Sequence, residues 1–425
     1  RKFLKKITGT ASALAVAPFL NPVLAQSLGE QLQSYEHFSA DEIAANEDFW
    51  YQVKQAYTVS TNLVNLNNGG VSPSPKVVQD AVERFNRMSN EVPSHYMWHI
   101  LDKNKEGLRT KLANLAGVSK DEIAINRNAS EALETIIFGL RLKAGDEVVL
   151  TKQDYPHVIN AWKQRALREG IVLKFLSFDF PMEDQEAIVK KFEAAFTAKT
   201  KVVNITHMIN WVGQILPVKA IAAKAKKRNI KVIVDGAHSF AHLDFKIPDL
   251  NCDYFGTSLH KWLCAPFGSG MLYVKKENIK DLFPLFAAEE PEGNDIRKFE
   301  SLGTRSLAIE QAIGQAIDFH HWIGAERKQK RLHYLKNYWI EGISDIPKVK
   351  IHTSSNPAFG CGIGLFSIDG IEPTRVNYLL KSKYQIHAVG IVWENIKGVR
   401  IAPNVYTTTK DLDRFINAVE EIAKT

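Results

Sequence analysis

Between residues 122 and 274 the chain alternates short apolar runs with helical stretches, and this alternation limits the possible folds most strongly. Seven runs are predicted as strands: residues 123–126, 147–151, 172–176, 201–206, 231–235, 253–257 and 271–274. Helical patterns, such as residues 131–140 and 218–228, separate most of them. Strands that alternate with helices favour a parallel sheet covered on both faces, with ligands bound at the carboxyl ends of the strands. We therefore predict an α/β fold with a mainly parallel seven-stranded sheet.

Two of these strands end beside residues with reactive side chains. Asp235 ends one strand, and Ser258, His260 and Lys261 follow another. Taken singly, such an Asp usually forms a turn and such a Lys is usually a solvated surface residue. Together they suit a cofactor with an aldehyde, a basic ring nitrogen and a phosphate. The lysine would form a Schiff base, the acid would keep the ring nitrogen protonated, and the hydroxyl and imidazole would bind the phosphate.

Three motifs in this region carry a resemblance to a known family. They are the D-G-A-H turn at 235–238, the S-L-H-K-W run at 258–262 and the A-P-F-G-S-G segment at 265–270. Together they resemble segments of class V aminotransferases, a family of fold type I pyridoxal-phosphate enzymes. The resemblance is greatest to the isopenicillin N epimerase-like members. It implies pyridoxal 5'-phosphate as the cofactor and Lys261 and Asp235 as catalytic residues. The resemblance also implies that His238 binds the cofactor; it stands where desulfurases of the family usually have Gln, a departure shared with epimerase-like members.

The family resemblance extends to further cofactor-binding residues. The N-R-N-A-S-E loop at 126–131 joins a strand to a helix, where backbone amides and the helix dipole favour an anion. It resembles the family's phosphate loop, which gives Ala129 and Ser130 that role; a helix-capping Ser is compatible with it. Tyr155 matches the position of an aromatic residue that stacks on the pyridine ring, with a structural tyrosine as the alternative.

Two other segments resemble family motifs near the cofactor. The T-H-M-I-N-W-V-G-Q-I-L-P run at 206–217 places Asn210 beside the cofactor's phenolic oxygen, whereas His207 is interpreted as structural. The Gly303-Thr304 pair resembles one that reaches the phosphate of a neighbouring subunit. The resemblance therefore implies a homodimer, in which Thr304 would bind the partner's cofactor.

The substrate-binding residues are also inferred by resemblance. The G-V-R-I-A-P-N-V-Y-T segment at 398–407 matches the family's R-x-S-P-x-x-Y-N-T element, in which the arginine, here Arg400, binds an α-carboxylate. Ala402 and Thr407 depart from the usual Ser and Asn. The N-N-G-G-V-S-P-S-P loop at 67–75 resembles a segment at the active-site mouth of epimerase-like members, and Asn68 is its predicted substrate contact. Ser74 is predicted to cap a helix that begins at Pro75 and ends near residue 88.

The reaction itself stays open between three outcomes at the α-carbon of an amino acid. Epimerisation, transamination, and β-elimination or C–S lysis all begin with removal of the α-proton. The chain contains three cysteines, Cys252, Cys264 and Cys361, and none lies in the loop at 386–397, where desulfurases carry their nucleophilic thiol. Persulfide chemistry of that type is therefore not expected. A non-catalytic envelope protein that binds a ligand or partner on the same fold is the alternative from another class.

The domain organisation follows from the motifs and from polar linkers. We predict an export signal at 1–25, a helical arm at 26–62, a large cofactor-binding domain at 63–303 and a smaller α+β domain at 304–425. In the small domain we expect a long helix to about residue 333, strands at 348–352 and 362–368, and helices at 372–382 and 410–423. No metal site is expected, because the cysteines lack metal-ligand spacing.

The first 25 residues have a basic start, a mildly apolar middle and the small-residue ending V-L-A. R-K-F-L-K resembles the later part of a twin-arginine signal, so we expect a precursor that extends upstream and a periplasmic product; an ordinary secretion signal is the alternative. The segment supplies four of the net seven positive charges (7 − 4 = 3), so the remaining chain has no nucleic-acid-binding charge pattern.

Overall fold

The computed structural model describes Leu32 and residues 35–424. The predicted export signal at 1–25 lies outside the described residues. The longer helices are α1 Ala40–Ala44, α2 Glu47–Gln55, α3 Lys76–Glu91, α4 Asp102–Ala116, α5 Ala129–Gly139, α6 Pro156–Glu169, α7 Gln185–Ala195, α8 Val218–Lys226, α9 Leu307–Ile323, α10 Ala325–Ser344, α11 Pro373–Tyr384 and α12 Thr409–Ala423. A short helical turn, Pro93–His95, and a π-helical turn, Tyr96–Leu101, precede α4.

The strands fall into three sheets. They are β1 Val64–Asn65, β2 Ile123–Asn126, β3 Glu147–Thr151, β4 Val172–Leu176, β5 Thr200–Thr206, β6 Lys231–Asp235, β7 Tyr254–Ser258, β8 Gly270–Val274, β9 Val349–Ile351, β10 Gly364–Ile368, β11 Ile386–His387, β12 Val389–Trp393 and β13 Ile396–Ile401. The large sheet has the order β2-β8-β7-β6-β5-β3-β4. Only β8 runs antiparallel to its neighbours, so the predicted mainly parallel seven-stranded sheet is confirmed.

Helices cover both faces of this sheet. Along β6, Val234 packs into one apolar cluster with residues of α4, α8 and α9, whereas its neighbour Ile233 packs into a second cluster with residues of α5 and α6. Successive side chains of a strand point to opposite faces, so a strand buried on both sides needs an unbroken apolar run. The K-V-I-V-D sequence of β6 meets that requirement and ends on the polar Asp235, at the edge where the site lies.

The C-terminal part contains a four-stranded antiparallel sheet in the order β12-β13-β10-β9, covered by α10, α11 and α12. Two features differ from the sequence prediction. The β12–β13 hairpin forms where a loop was expected. The single long helix is two helices, because Gly324, at φ +91°, ends α9 in a backbone conformation outside the helical region before α10 begins.

The described part of the N-terminal arm packs against the rest of the fold. Its predicted capping box is present between Ser39 and Glu42, and Trp50 lies in an apolar cluster with Trp262 and Tyr406. Pro75, and not Ser74, is the N-cap of α3, because the Ser74 hydroxyl donates instead to the carbonyl of Ala265.

Chain segments cross the predicted domain boundaries. Val64 of β1 pairs with Ile386 of β11 in the C-terminal part, and Ala312 of α9 packs in the core of the large sheet. The boundary positions themselves stay predictions. Among the described residues, no helix has both the length and the apolar character that crossing a membrane requires.

Candidate active site

Asp235 and Lys261 lie at adjacent strand ends. Asp235 ends β6, and Lys261 follows β7, which pairs with β6 in parallel. The Asp235 carboxylate is buried and accepts a hydrogen bond from the Ala237 amide at 2.9 Å. Burial raises its pKa, while the positive charge of Lys261 acts in the opposite direction. The two predicted catalytic groups therefore share one site and interact electrostatically.

The Lys261 amine is half-buried between two aromatic residues. Its Nζ lies 3.1 Å from Nε2 of His238 and 6.0 Å from the ring centre of Tyr155. Burial lowers the pKa of Lys261 to about 8; Asp235 opposes this shift and the nearby charge of Arg400 adds to it. The shift increases the fraction of the neutral, nucleophilic amine near neutral pH.

The predicted phosphate residues meet where β7 faces the start of α5. The Ala129 amide donates to Oγ of Ser258 at 2.9 Å, and within the described residues the Ser130 hydroxyl makes no hydrogen bond. His260 donates from Nδ1 to the carbonyl of Ser269 at 3.0 Å, which leaves its Nε2 unused. An unused hydroxyl and imidazole nitrogen beside a helix N-terminus form a site suited to an anion.

The Arg400 guanidinium is buried and has no acidic partner among the described residues. Its Nη1 donates to the carbonyl of Asn210 at 2.9 Å and its Nη2 to Oδ1 of Asn67 at 2.8 Å. Its Nε is buried and has no hydrogen-bond partner in the part of the chain that the structure describes. Burial lowers the pKa of Arg400 to about 10, still high enough to keep the group charged. Because buried charges are normally paired, this cation is suited to an anionic ligand.

Asn210 has an unpaired polar atom at the same place. Its side chain is buried, and Oδ1 lacks a hydrogen-bond partner within residues 35–424. Its neighbour Trp211 stacks on Trp393 of β12, with ring centres 5.5 Å apart. The stack holds the β12–β13 hairpin against the loop after β5, so the segment at 386–397, predicted as a loop, packs next to Asn210.

The two asparagines of the 67–75 loop point in different directions. The Asn68 amide is fully buried and bonded to Asn65, Ala402 and Tyr406. Asn67 contacts Arg400 instead, so sequence reasoning selected the neighbour of the residue that faces the site. The substrate role of Asn68 stays a prediction, although the structure leaves its amide no free donor. Gly69 packs nearby, and a Cβ there would lie 3.6 Å from both Cζ of Arg400 and Cε1 of His238.

Two predicted residues lie at the margin of this arrangement. Tyr155 is 40% exposed and stands immediately before α6, with its ring over the Lys261 amine at the distance given above. Thr304 is exposed and makes no hydrogen bond to the other site residues within the described part of the chain. Its predicted role requires a second subunit, which the structure does not contain.

Sequence reasoning missed two buried residues that support the site. Trp262 is fully buried and donates from its indole nitrogen to Nδ1 of His238 at 3.4 Å. Asp154 accepts hydrogen bonds from Thr151, Thr206 and Asn204, and burial raises its pKa to about 6. Trp262 follows Lys261 in the sequence and Asp154 precedes Tyr155, so both lie within the motifs that identify the predicted site residues.

The three thiols are all buried. Burial raises the pKa of Cys252 and of Cys361 to about 12, which suppresses the reactive thiolate. In the described part of the chain, no group of three or more His, Cys, Asp or Glu side chains could hold a metal ion.

Comparisons with known proteins agree with this architecture. The family model for aminotransferase class-V matches residues 64–415. Isopenicillin N epimerase from Streptomyces clavuligerus is 26% identical over 392 residues, which cover 88% of this chain and 98% of that protein. A probable cysteine desulfurase from Synechocystis sp. is 27% identical over 386 residues, 84% of this chain and 90% of that one. A solved C-DES mutant with glycine covalently linked to its PLP cofactor has a TM-score of 0.79 at 21% identity, over 87% of this chain and 99% of that one.

Proposed function

We propose that this protein, which belongs to the aminotransferase class-V family, acts at the α-carbon of an amino acid whose carboxylate binds to Arg400. The chain is a pyridoxal-phosphate-dependent enzyme of class V. The observation that carries the substrate proposal is the buried guanidinium of Arg400, which has neither a carboxylate partner nor a partner for its Nε in the part of the chain that the structure describes. Guanidinium binds carboxylate through two parallel hydrogen bonds, and an amino acid supplies such a carboxylate.

The residues present fit pyridoxal phosphate. Asp235 is the buried carboxylate for the ring nitrogen, Lys261 is the amine for the aldehyde, and the free hydroxyl of Ser130 lies at the helix end suited to the phosphate. The buried amide oxygen of Asn210 has no hydrogen-bond partner among the described residues, which suits this side chain to a polar group of the ligand. In this role Asn210 would donate from its amide to the phenolic oxygen of the cofactor.

When bound, the cofactor supplies an electron sink that stabilises negative charge at the substrate α-carbon. The chain's own residues prepare this step. Arg400 orients the substrate by its carboxylate, Asp235 keeps a positive charge on the ring nitrogen, and Lys261 accepts the α-proton at Nζ. The lowered pKa of Lys261 suits it to this role, because a base works best when its pKa lies near the working pH.

The finer proposal is that the reaction is epimerisation or transamination. The experiment is to incubate the loaded enzyme with single L-amino acids in deuterated water and to analyse the products. Epimerisation gives the D-isomer with deuterium at the α-carbon, whereas transamination gives a 2-oxo acid. No exchange of the α-hydrogen and no product with any of the twenty standard amino acids would contradict the proposal.

A C–S lyase reaction is the second candidate, favoured by relatives named cysteine desulfurase. Elimination of a β-sulfur group needs Lys261 but no protein thiol. The three buried cysteines argue against desulfuration through a cysteine persulfide on the protein. The same incubation distinguishes this candidate, because elimination from cysteine or cystine releases pyruvate, ammonia and a sulfur product.

We propose a homodimer for the active form. Thr304 is exposed and, among the described residues, makes no hydrogen bond to the site of its own chain. Its side chain is therefore available for a contact with the phosphate bound by a partner subunit. Large apolar side chains are also exposed, including Phe267 at 60% and Trp98 at 55%. Burial of such side chains would favour association.

We also propose export through the twin-arginine route, on the basis of the R-K-F-L-K start of the signal segment. This route would allow the cofactor to be inserted before export. In cells that lack the twin-arginine translocase, the precursor should stay in the cytoplasm. Undiminished appearance in the periplasm of such cells would contradict this proposal.

A further inference from the structure

The side chains of Trp262, His238 and Lys261 form a continuous row of hydrogen bonds in the site. The indole nitrogen of Trp262 lies 3.4 Å from Nδ1 of His238, and Nε2 of the same imidazole lies 3.1 Å from Nζ of Lys261. His238 and Trp262 are buried, so water cannot readily replace either partner. Both nitrogens of His238 are therefore engaged by protein groups.

The chemistry of tryptophan fixes the direction of this row. An indole N–H only donates, so Nδ1 of His238 must accept and carries no proton. A proton on Nδ1, in the neutral or the cationic ring, would place two N–H groups head to head in a buried site. Burial and the charges of Lys261, Arg400 and His242 also lower the pKa of His238 well below its usual range. His238 is thus neutral, with its proton on Nε2.

Toward Lys261, the Nε2–H group can donate only when the amine nitrogen has a free lone pair. Lys261 offers one only as a neutral amine. The groups that face this amine are His238, the carboxylate of Asp235, the guanidinium of Arg400 and the ring of Tyr155. Burial and the charge of Arg400 favour the neutral amine, whereas the charge of Asp235 favours the ammonium form. A hydrogen bond from the Nε2–H group would further stabilise the neutral amine.

We propose that Trp262 is a positioning residue that holds His238 in the Nε2–H tautomer and so makes it a fixed hydrogen-bond donor to the Lys261 nitrogen. His238 then cannot accept a proton at Nε2, and the base on this side of the site is Lys261 alone. The inference rests on the proposed function only in giving Lys261 its role. The tautomer is a property of the chain itself.

The surroundings of Trp262 keep its N–H in place. His242 packs on the indole with ring centres 3.8 Å apart. Its Nδ1 donates to the His238 carbonyl at 2.8 Å, and its Nε2 accepts from the Gly362 amide at 2.8 Å. A Cβ at Gly362 would lie 2.8 Å from that Nε2, so only glycine leaves room for this bond. The Trp262 carbonyl also accepts from buried Lys328.

The first test reads the tautomer directly in cofactor-free protein labelled with [15N]histidine. Long-range proton–nitrogen spectra distinguish a ring nitrogen that carries a proton from one that does not, and His238→Gln identifies the signals by their loss. At pH 9, where the lowered pKa of about 8 leaves the Lys261 amine mainly neutral, we expect wild-type His238 with the proton on Nε2 and Trp262→Phe with a mixture of both tautomers. A wild-type proton on Nδ1 would overturn the proposal without any variant.

The second test measures how fast the cofactor-free protein takes up pyridoxal phosphate as a function of pH, because uptake needs the neutral amine. Loss of a donor hydrogen bond to that amine should move the half-maximal pH upward by about half to one unit in Trp262→Phe. Trp339→Phe is the matched control, because the Trp339 indole nitrogen is buried without a hydrogen-bond partner among the described residues. Its uptake profile should equal that of the wild type.

The third comparison separates positioning from a merely structural effect. Glutamine has an amide donor and no tautomers, so Trp262→Phe should not move the uptake profile further in a His238→Gln protein. An equal shift in both backgrounds would overturn the proposal. Attachment of the cofactor to a residue other than Lys261 would refute the proposed function, while the tautomer result would still be read independently.

Discussion

The Nη2 of Arg400 donates to Oδ1 of Asn67 at 2.8 Å, although the two residues are far apart in the sequence. Asn67 also forms a backbone bridge with Ala402, so the loop after β1 lies directly against the end of β13. This contact orients the guanidinium whose remaining donors are proposed to bind the substrate carboxylate. The loop at 67–75 therefore belongs to the site through Asn67.

Asn67 and Asn68 should respond differently to replacement by alanine. Asn67→Ala removes a hydrogen bond that orients the Arg400 guanidinium, so the KM for the amino acid should rise by about tenfold or more, an effect not expected for Asn68→Ala. Asn68→Ala leaves buried partners unsatisfied and should lower the free energy of unfolding by about 1–3 kcal/mol. Steady-state kinetics and urea denaturation check the pair, and the opposite assignment of effects would contradict the geometry.

Arg400→Ala should raise the KM for an α-amino acid by about two orders of magnitude, because a buried charge-assisted contact is lost. The visible absorbance of the cofactor should persist, since Arg400 is not one of its proposed ligands. Arg375→Ala, at an exposed position of α11, is the control and should leave KM unchanged. Unaltered kinetics in Arg400→Ala would mean that the carboxylate binds elsewhere.

Asp154 should make stability depend on pH. Its pKa in the folded protein is about 6, above the usual 3.8 of an aspartate, so the folded state holds this proton more tightly than the unfolded chain. The stabilisation is fully present below the unfolded pKa and is lost as pH rises through about 6, by roughly 3 kcal/mol at most.

Urea denaturation of the wild type and of Asp154→Asn between pH 4 and 7 measures the pH-dependent contribution of Asp154 to the free energy of unfolding. The unfolding free energy of the wild type relative to the variant should fall as pH rises. Asp345→Asn, at an exposed position, provides the control for general pH effects. A difference that is constant with pH would show that Asp154 does not titrate in this range.

The strand ends that carry the chemistry could be predicted, because apolar β-branched runs bounded by turn residues mark strands even without a structure. Thus Asp235 and Lys261 were placed at one sheet edge, and the structure brings them together. The choice between Asn67 and Asn68 could not be made, because it depends on the tertiary bridge to Ala402.

The β12–β13 hairpin also escaped prediction, for a local reason. Its turn contains Glu394 at φ +50°, a left-handed conformation that usually calls for Gly or Asn and so gave no turn signal. The hairpin is fixed instead by tertiary contacts. Asn395 bonds to the side chain of Gln153 and to the carbonyl of Phe178, and Trp393 stacks on Trp211.

A shared active site would allow two inactive variants to restore each other. In Lys261→Ala the amine is missing, and in Thr304→Arg the proposed contact with the partner's phosphate is blocked. After subunit exchange, a mixed dimer has one site with both lesions and one with neither, so activity should reappear. Absence of rescue after proven exchange, or a stable active monomer in size-exclusion chromatography, would contradict the homodimer.

The central claim is that Lys261 carries the cofactor, and borohydride reduction followed by peptide mass spectrometry tests it most directly. The purified protein should be yellow, its visible band should disappear on reduction, and the reduced cofactor should be found on the peptide that contains Lys261. Lys261→Ala should give no adduct at this peptide. An adduct on another lysine, or none in cofactor-loaded protein, would contradict the account.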